Sequence, residues 1–264
     1  MAEDLVLRDD RGAITILTLN APTSLNALSD GMIAALHAQI MHIGQDHSIR
    51  VVVLRGAGKV FCAGHDLKEM QAARETPDQG RAAFQSLFDR CAAMMLALQA
   101  LPQTVIAQVH GIATAAGCQL VASCDMAVAE TGTRFGVNGV NIGLFCSTPM
   151  VALTRKIPRG LAFEMLTTGE FISAERAREA GLVNRVTDAD TLPDVTMALA
   201  GTVAAKLGRA LRIGKRAFYD QADLGLAQAY AHTGAVMVQN MLARDTNEGI
   251  SAFLDKRQPN WIGE

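Results

Sequence analysis

"GIATAAGCQLVASCD", residues 111–125, leaves a β-branched run, "TVIAQVHG" (104–111), crosses a set of small residues and enters an apolar segment. A strand that turns through Ala115, Ala116 and Gly117 into a helix is the unit this stretch predicts, and its bare backbone fits two readings. Gly and Ala let a helix pack closely on a strand. They also leave uncovered the N–H groups of a first helical turn, which have no intrahelical acceptor.

The flanking sequence repeats the strand-to-helix pattern. "AITILTL" (13–19) and "VVVLRG" (51–56) read as buried strands, each β-branched-rich and ended by turn residues. Between them Met32, Ile33, Leu36, Ile40 and Ile43 recur at helical spacing behind Ser29 and Asp30, which offer an N-cap. "RAAFQSLFDRCAAMMLALQA" (81–100) is a second amphipathic helix, before the 104–111 strand. Strand, helix and strand at this interval argue for an α/β protein with parallel pairing and crossover helices. A shorter strand is expected at "MAVAE" (126–130), then helices over 147–157, 159–169 and 173–183, the last closed by Gly181. From about Leu192 helix follows helix, and no low-complexity linker interrupts the chain.

The composition narrows the function classes. At 264 residues, 50% of them hydrophobic, the chain is long enough for a large core in one folded unit. A net charge of −2 gives no electrostatic footprint for nucleic acid. No uncharged apolar run reaches membrane-spanning length, so no membrane partner is expected. Cys62, Cys91, Cys118, Cys124 and Cys146 are odd in number and lack zinc spacing; they read as reduced, buried thiols. With the acidic start "MAEDLVLRDDRG", which does not resemble a signal peptide, they point to the cytoplasm, an organellar matrix remaining open if a leader had been removed.

A second junction, "VFCAGHDLKEM" (60–70), follows the 51–56 strand as "VHGIATAAGCQL" (109–120) follows the next. Ligands of parallel sheets collect beyond the carboxyl ends of strands, where both junctions lie. Two helix starts facing each other would pair N–H donors around an oxygen that gains negative charge.

Taken in order, "LNAPTSLNALS" (19–29), "FCAGHDLKEM" (61–70), "HGIATAAGCQLVASCDMAVAE" (110–130), "RFGVNGVNIGL" (134–144), "LTTGEFISAERAREAGLVNRV" (166–186) and "NEGISAFLDKRQPNW" (247–261) resemble successive signatures of the enoyl-CoA hydratase/isomerase family, the crotonase superfamily. The resemblance is collinear over nearly the whole chain. It implies an α/β, crotonase-like spiral of ββα turns with a helical C-terminal extension: an acyl-CoA-binding core over 1–195 and a helical oligomerisation region over 196–264, assembled as homotrimers or dimers of trimers. It implies an acyl-CoA thioester as partner, coenzyme A entering as part of the substrate, with no permanently bound cofactor and no metal. By position the peptide N–H groups of His65 and Ala116 match the donors that hold the thioester enolate, while Cys62, Ala63, Asp66 and Lys68 match the loop along coenzyme A.

The resemblance also exposes a departure. The two glutamates that share proton handling in hydratases of this kind fall at Gln119 and Gly139. An amide hydrogen-bonds a water but does not take its proton near neutral pH, and glycine does neither. The isomerases also depend on a carboxylate, usually at the second place. Ordinary hydration is therefore expected to be weak. An acyl-CoA enzyme whose reaction departs from plain hydration is the favoured reading; a non-catalytic acyl-CoA binder or regulatory protein and a slow hydratase in which Gln119 positions water stay open.

Other candidates are expected to be structural. Asp66 caps the helix that starts there, Asp125 satisfies peptides beside a core strand, Glu164 forms an ion pair, and His110 is a satisfied core group. Cys146 lines the pocket beside Asn138, Asn141 and Ser147, and the ring of His65 points to solvent or covers the ligand.

Overall fold

Side chains alternate across the strands so that successive residues serve opposite layers. The structure, a computed structural model, describes residues 4–262. In chain order its strands are β1 (Val6–Arg11), β2 (Ile14–Leu19), β3 (Val51–Gly56), β4 (Thr104–Val109), β5 (Ile112–Thr114), β6 (Met126–Glu130), β7 (Arg134–Gly136), β8 (Ile172–Ser173) and β9 (Arg185–Thr187). The helices are α1 (Asp30–Gly44), α2 (Leu67–Ala73), α3 (Arg81–Ala100), α4 (Ala116–Ser123), α5 (Ser147–Lys156), α6 (Arg159–Thr168), α7 (Ala174–Glu179), α8 (Leu192–Ala204), α9 (Gly208–Asp220), α10 (Leu226–Met241) and α11 (Arg244–Leu254).

The larger sheet runs β1-β2-β3-β4-β6-β9, parallel except for the antiparallel β1 at its edge. A smaller sheet, β5-β7-β8, carries the short second strand of successive turns. Each turn therefore reads long strand, short strand, helix, as β4-β5-α4 and β6-β7-α5 show. This is the ββα spiral expected from the sequence.

Ile14, Ile16, Val51, Val53, Ile106 and Val128 face one side of the large sheet and meet Leu192, Leu199 and Ala200 of α8. Their neighbours Leu17, Leu19, Val52, Leu54, Val105 and Ala107 face the other and join Met32, Leu36 and Ile40 of α1 and Met94 and Leu98 of α3. Each fully buried Leu, Ile or Val contributes roughly 1.5–3 kcal/mol, so both faces are firmly held. The expected boundary at 195/196 falls inside α8, which is a sheet-covering helix; the helices that leave the core are α9 to α11.

Local signals end the elements as expected. Ser29 caps α1 by accepting from the Met32 N–H, and Gly181, with φ +87°, ends α7. The strand expected over 104–111 stops at Val109, because Gly111 turns with φ +62° into β5. β1, β5, β7, β8 and β9 lie outside the strands read from the sequence: β1 is charged at four of its six positions and the others are at most three residues long.

Asp125, placed between α4 and β6, fastens the extension to the core. Its carboxylate accepts from the Val105 N–H (2.6 Å), Lys215 Nζ (2.7 Å) and the Tyr219 hydroxyl (2.8 Å), the last two from α9. Lys215 also donates to the carbonyls of Leu98 and Gln103, and Lys156 to that of Asp125. Asp125 is thus structural as expected, but it joins side chains 90 and 94 residues away as well as nearby peptides.

Candidate functional site

The two strand-end junctions meet. The Cys62 N–H donates to the Ile112 carbonyl (3.2 Å) and the Thr114 N–H returns to the Cys62 carbonyl (3.1 Å), a parallel bridge across Ala113. Gly117 must lack a side chain, because a Cβ there would run into that Cys62 carbonyl. Gly64, with φ +90°, is also close: a Cβ on it would stand 3.0 Å from the Ala115 Cβ and 3.3 Å from the Ala116 nitrogen. The small residues of the opening stretch therefore do allow close packing, and that packing sets His65 beside Ala116.

Neither of those two residues spends its peptide N–H on the fold. Among the described residues no carbonyl or side-chain oxygen accepts from the N–H of His65 or of Ala116. Ala116 opens α4, where an N–H has no intrahelical acceptor, and its N-cap Ala115 provides no side-chain cap. Ala115 itself sits at φ 50°, ψ −120°, a region that costs a non-glycine residue roughly 1–3 kcal/mol. Its own N–H is fixed on the Gly136 carbonyl at 2.9 Å. Surrounding bonds thus hold a strained residue immediately before a free donor.

The His65 ring packs inward rather than pointing to solvent. Nδ1 lies 3.4 Å from the Leu28 carbonyl, and the ring packs edge-on against Phe88 of α3 with centroids 5.7 Å apart. Nε2 is buried without a hydrogen-bond partner. Burial outweighs the Leu28 carbonyl and the Asp30 charge, and pushes the imidazole pKa below its ordinary 6.5, so the ring is neutral at neutral pH.

Gln119, in the first turn of α4, is 5% exposed and its Oε1 is buried with no partner. It borders a cavity of about 310 Å³ between α3, α4 and α5, with Met95, Ser123, Thr148 and Arg155 among the lining residues. A buried amide without a partner is costly unless something occupies the space beside it.

Gly139 lies away from open space, in the 3₁₀ turn Asn138–Ile142. A Cβ here would meet the Leu144 carbonyl and lie 2.8 Å from Cys146 Sγ. The turn is tied to β5 by Thr114 Oγ1 donating to Asn138 Oδ1 at 2.6 Å. Burial raises the Cys146 thiol pKa and pushes those of Cys62 and Cys118 up to about 12, so all three are protonated at neutral pH.

On the first junction Asp66 caps α2 by accepting from the N–H groups of Lys68 (2.8 Å) and Glu69 (3.3 Å), as expected. Lys68 is exposed, Ala63 partly so, and Cys62 fully buried. Glu69, unremarked in the sequence, caps a neighbouring helix by accepting from the Asp30 N–H at 2.8 Å. His110 pairs with the Gly58 carbonyl at 2.9 Å. Glu164, expected in an ion pair, is instead exposed on α6 and has no cation within ion-pair distance among the described residues. Asn141 is likewise exposed, while Phe145 and Met150 are 40% and 37% exposed. Among the described residues no group of three or more His, Cys, Asp or Glu side chains could hold a metal ion.

A ββα spiral whose strand-end junctions adjoin, each with a free peptide donor, defines an α/β protein of crotonase fold. The sequence model of the enoyl-CoA hydratase/isomerase family matches residues 9–264, and the chain belongs to that family. Among its relatives, human enoyl-CoA hydratase domain-containing protein 3, mitochondrial, is 44% identical over 94% of this chain and 80% of its own. A crystal structure of that human protein superposes with a TM-score of 0.92 at 42% identity, covering 97% of this chain and 100% of the other. An enoyl-CoA hydratase structure from Mycobacterium smegmatis gives 0.94 at 52% identity, covering 98% and 99%.

Proposed function

We propose that this protein binds acyl-CoA thioesters and holds the thioester oxygen, as it becomes an enolate, between the N–H groups of His65 and Ala116. One observation carries the reading: two peptide donors without acceptors stand on junctions in contact at Gly64, beyond the carboxyl ends of β3 and β4. One such donor is worth roughly 2.7–4 kcal/mol to a transition state in which charge builds on oxygen. Coenzyme A lies along the loop of Ala63, Asp66 and Lys68, while Cys62, buried and with its peptide groups committed to Ile112 and Thr114, holds that loop in place. The apolar faces of α9 to α11, with Phe218, Leu226, Tyr230, Leu242, Phe253 and Leu254 exposed, suit burial against further copies in a trimer or dimer of trimers.

Ordinary hydration is weak on this reading. Gln119 offers an amide, Gly139 has no room for a side chain, and general acid–base assistance contributes roughly 10²–10⁴-fold per group. The crowding at Gly139 also favours a second reading, a non-catalytic acyl-CoA binder, over a slow hydratase. Calorimetric titration and a hydration assay, both with crotonyl-CoA, test these statements. Binding without ordinary turnover is the expected result, and Gln119→Glu should raise turnover. Failure to bind any CoA thioester sinks the assignment, and full hydratase activity in the unmodified protein refutes its second half.

A further inference from the structure

The cavity beside Gln119 has a direction. Lys156 at the end of α5 donates to the Asp125 carbonyl just beyond α4, and Lys215 joins Asp125 to the Leu98 carbonyl near the end of α3. The C-terminal ends of α3, α4 and α5 therefore gather at Asp125. The lining residues fall into rows along these helices: Ala92, Met95 and Gln99 on α3, Gln119 and Ser123 on α4, Thr148, Val151 and Arg155 on α5. One end of the groove holds Gln119 and Thr148, Gln119 standing one helical turn along α4 from Ala116; the other holds Gln99 and Arg155.

Seven helical residues separate Thr148 from Arg155, about 10 Å at a rise of 1.5 Å each. An extended chain advances about 1.2 Å per bond, so roughly eight bonds cover that distance. The middle of the groove is apolar, with Met95, Leu96, Val151 and Ala152. Its far end is not. The Arg155 guanidinium donates only to the Val151 carbonyl of its own helix (3.1 Å), and among the described residues no carboxylate lies within ion-pair distance of it. Asp223, exposed on the turn after α9, is the opposing charge at this rim.

The geometry points to an acyl group of about eight carbons that ends in a carboxylate, its thioester at Ala116 and its far end on Arg155. This rests on the thioester reading above and narrows its substrate class. The guanidinium can take a terminal carboxylate through two parallel N–H···O bonds, and the unpartnered Gln119 amide faces the first carbons of the chain. A plain alkyl tail of the same length would leave Arg155 unused, and Asp223 weakens the preference without contacting the chain.

Calorimetric titration of the full chain with coenzyme A, octanoyl-CoA and suberyl-CoA tests it. Suberyl-CoA should bind about tenfold more tightly than octanoyl-CoA, the scale of one charge-assisted pair. Arg155→Met should bring the two to parity, and Asp223→Asn should widen the gap. Equal or tighter binding of octanoyl-CoA by the unmodified protein overturns the inference and spares the thioester site, as does a preference that survives Arg155→Met. Asp223→Asn decides the matter if Arg155→Met fails to fold: a gap that does not widen counts against it. If none of the thioesters binds, the thioester site itself is refuted and this inference with it.

Discussion

The sulfur of Cys146 stands 2.8 Å from where a side chain on Gly139 would begin. The sulfur and the Leu144 carbonyl together fill the space in front of that α-carbon. A carboxylate cannot be added here by substitution alone; the 139–146 segment would have to move.

Gly139→Ala should therefore destabilise the protein by about 1–3 kcal/mol, the usual cost of overpacking, and Gly139→Glu by at least as much without producing a hydratase. Thermal melts and crotonyl-CoA hydration check this. A well-folded, active Gly139→Glu protein would show that the turn adapts.

Gly64→Val should abolish thioester binding while leaving the helical core formed. Its side chain would press on Ala115 and the Ala116 nitrogen at a position with φ +90°, forcing the junctions apart. Calorimetry with crotonyl-CoA reads the first effect and circular dichroism the second.

Asp125→Ala should cost about 3–5 kcal/mol, because it strands the buried Lys215 ammonium and frees the Tyr219 hydroxyl and the Val105 N–H. Asp125→Ala with Lys215→Met should recover part of that loss. Hydrogen exchange should show α9 losing protection before β4 does.

His65 makes stability depend on pH with a definite sign. Its folded pKa lies below the unfolded value of 6.5, so the unfolded chain binds the extra proton first. Stability should fall as pH drops below about 6.5 and level off below the folded pKa. His65→Gln should flatten that part of the profile. A slope of opposite sign between pH 7 and 5 attributable to this residue would mean that the ring is charged in the folded state.

The sequence by itself determined the alternating strands β2, β3, β4 and β6, the helices between them, the caps at Ser29 and Asp66, and the two junctions at 60–70 and 109–120. These are local or periodic: a β-branched run, an apolar repeat and a capping side chain act within a few residues, so the order of residues is enough to read them. Strands of two or three residues such as β5 and β8 carry too few side chains for a period. The tertiary structure alone decided that Gly64 touches Ala115, that the His65 ring turns in toward Phe88, that Cys146 closes the space at Gly139, and that Lys215 and Tyr219 reach Asp125. Each depends on segments distant in the chain being brought within a few ångströms, where sterics and desolvation, rather than residue type, set what a side chain can do.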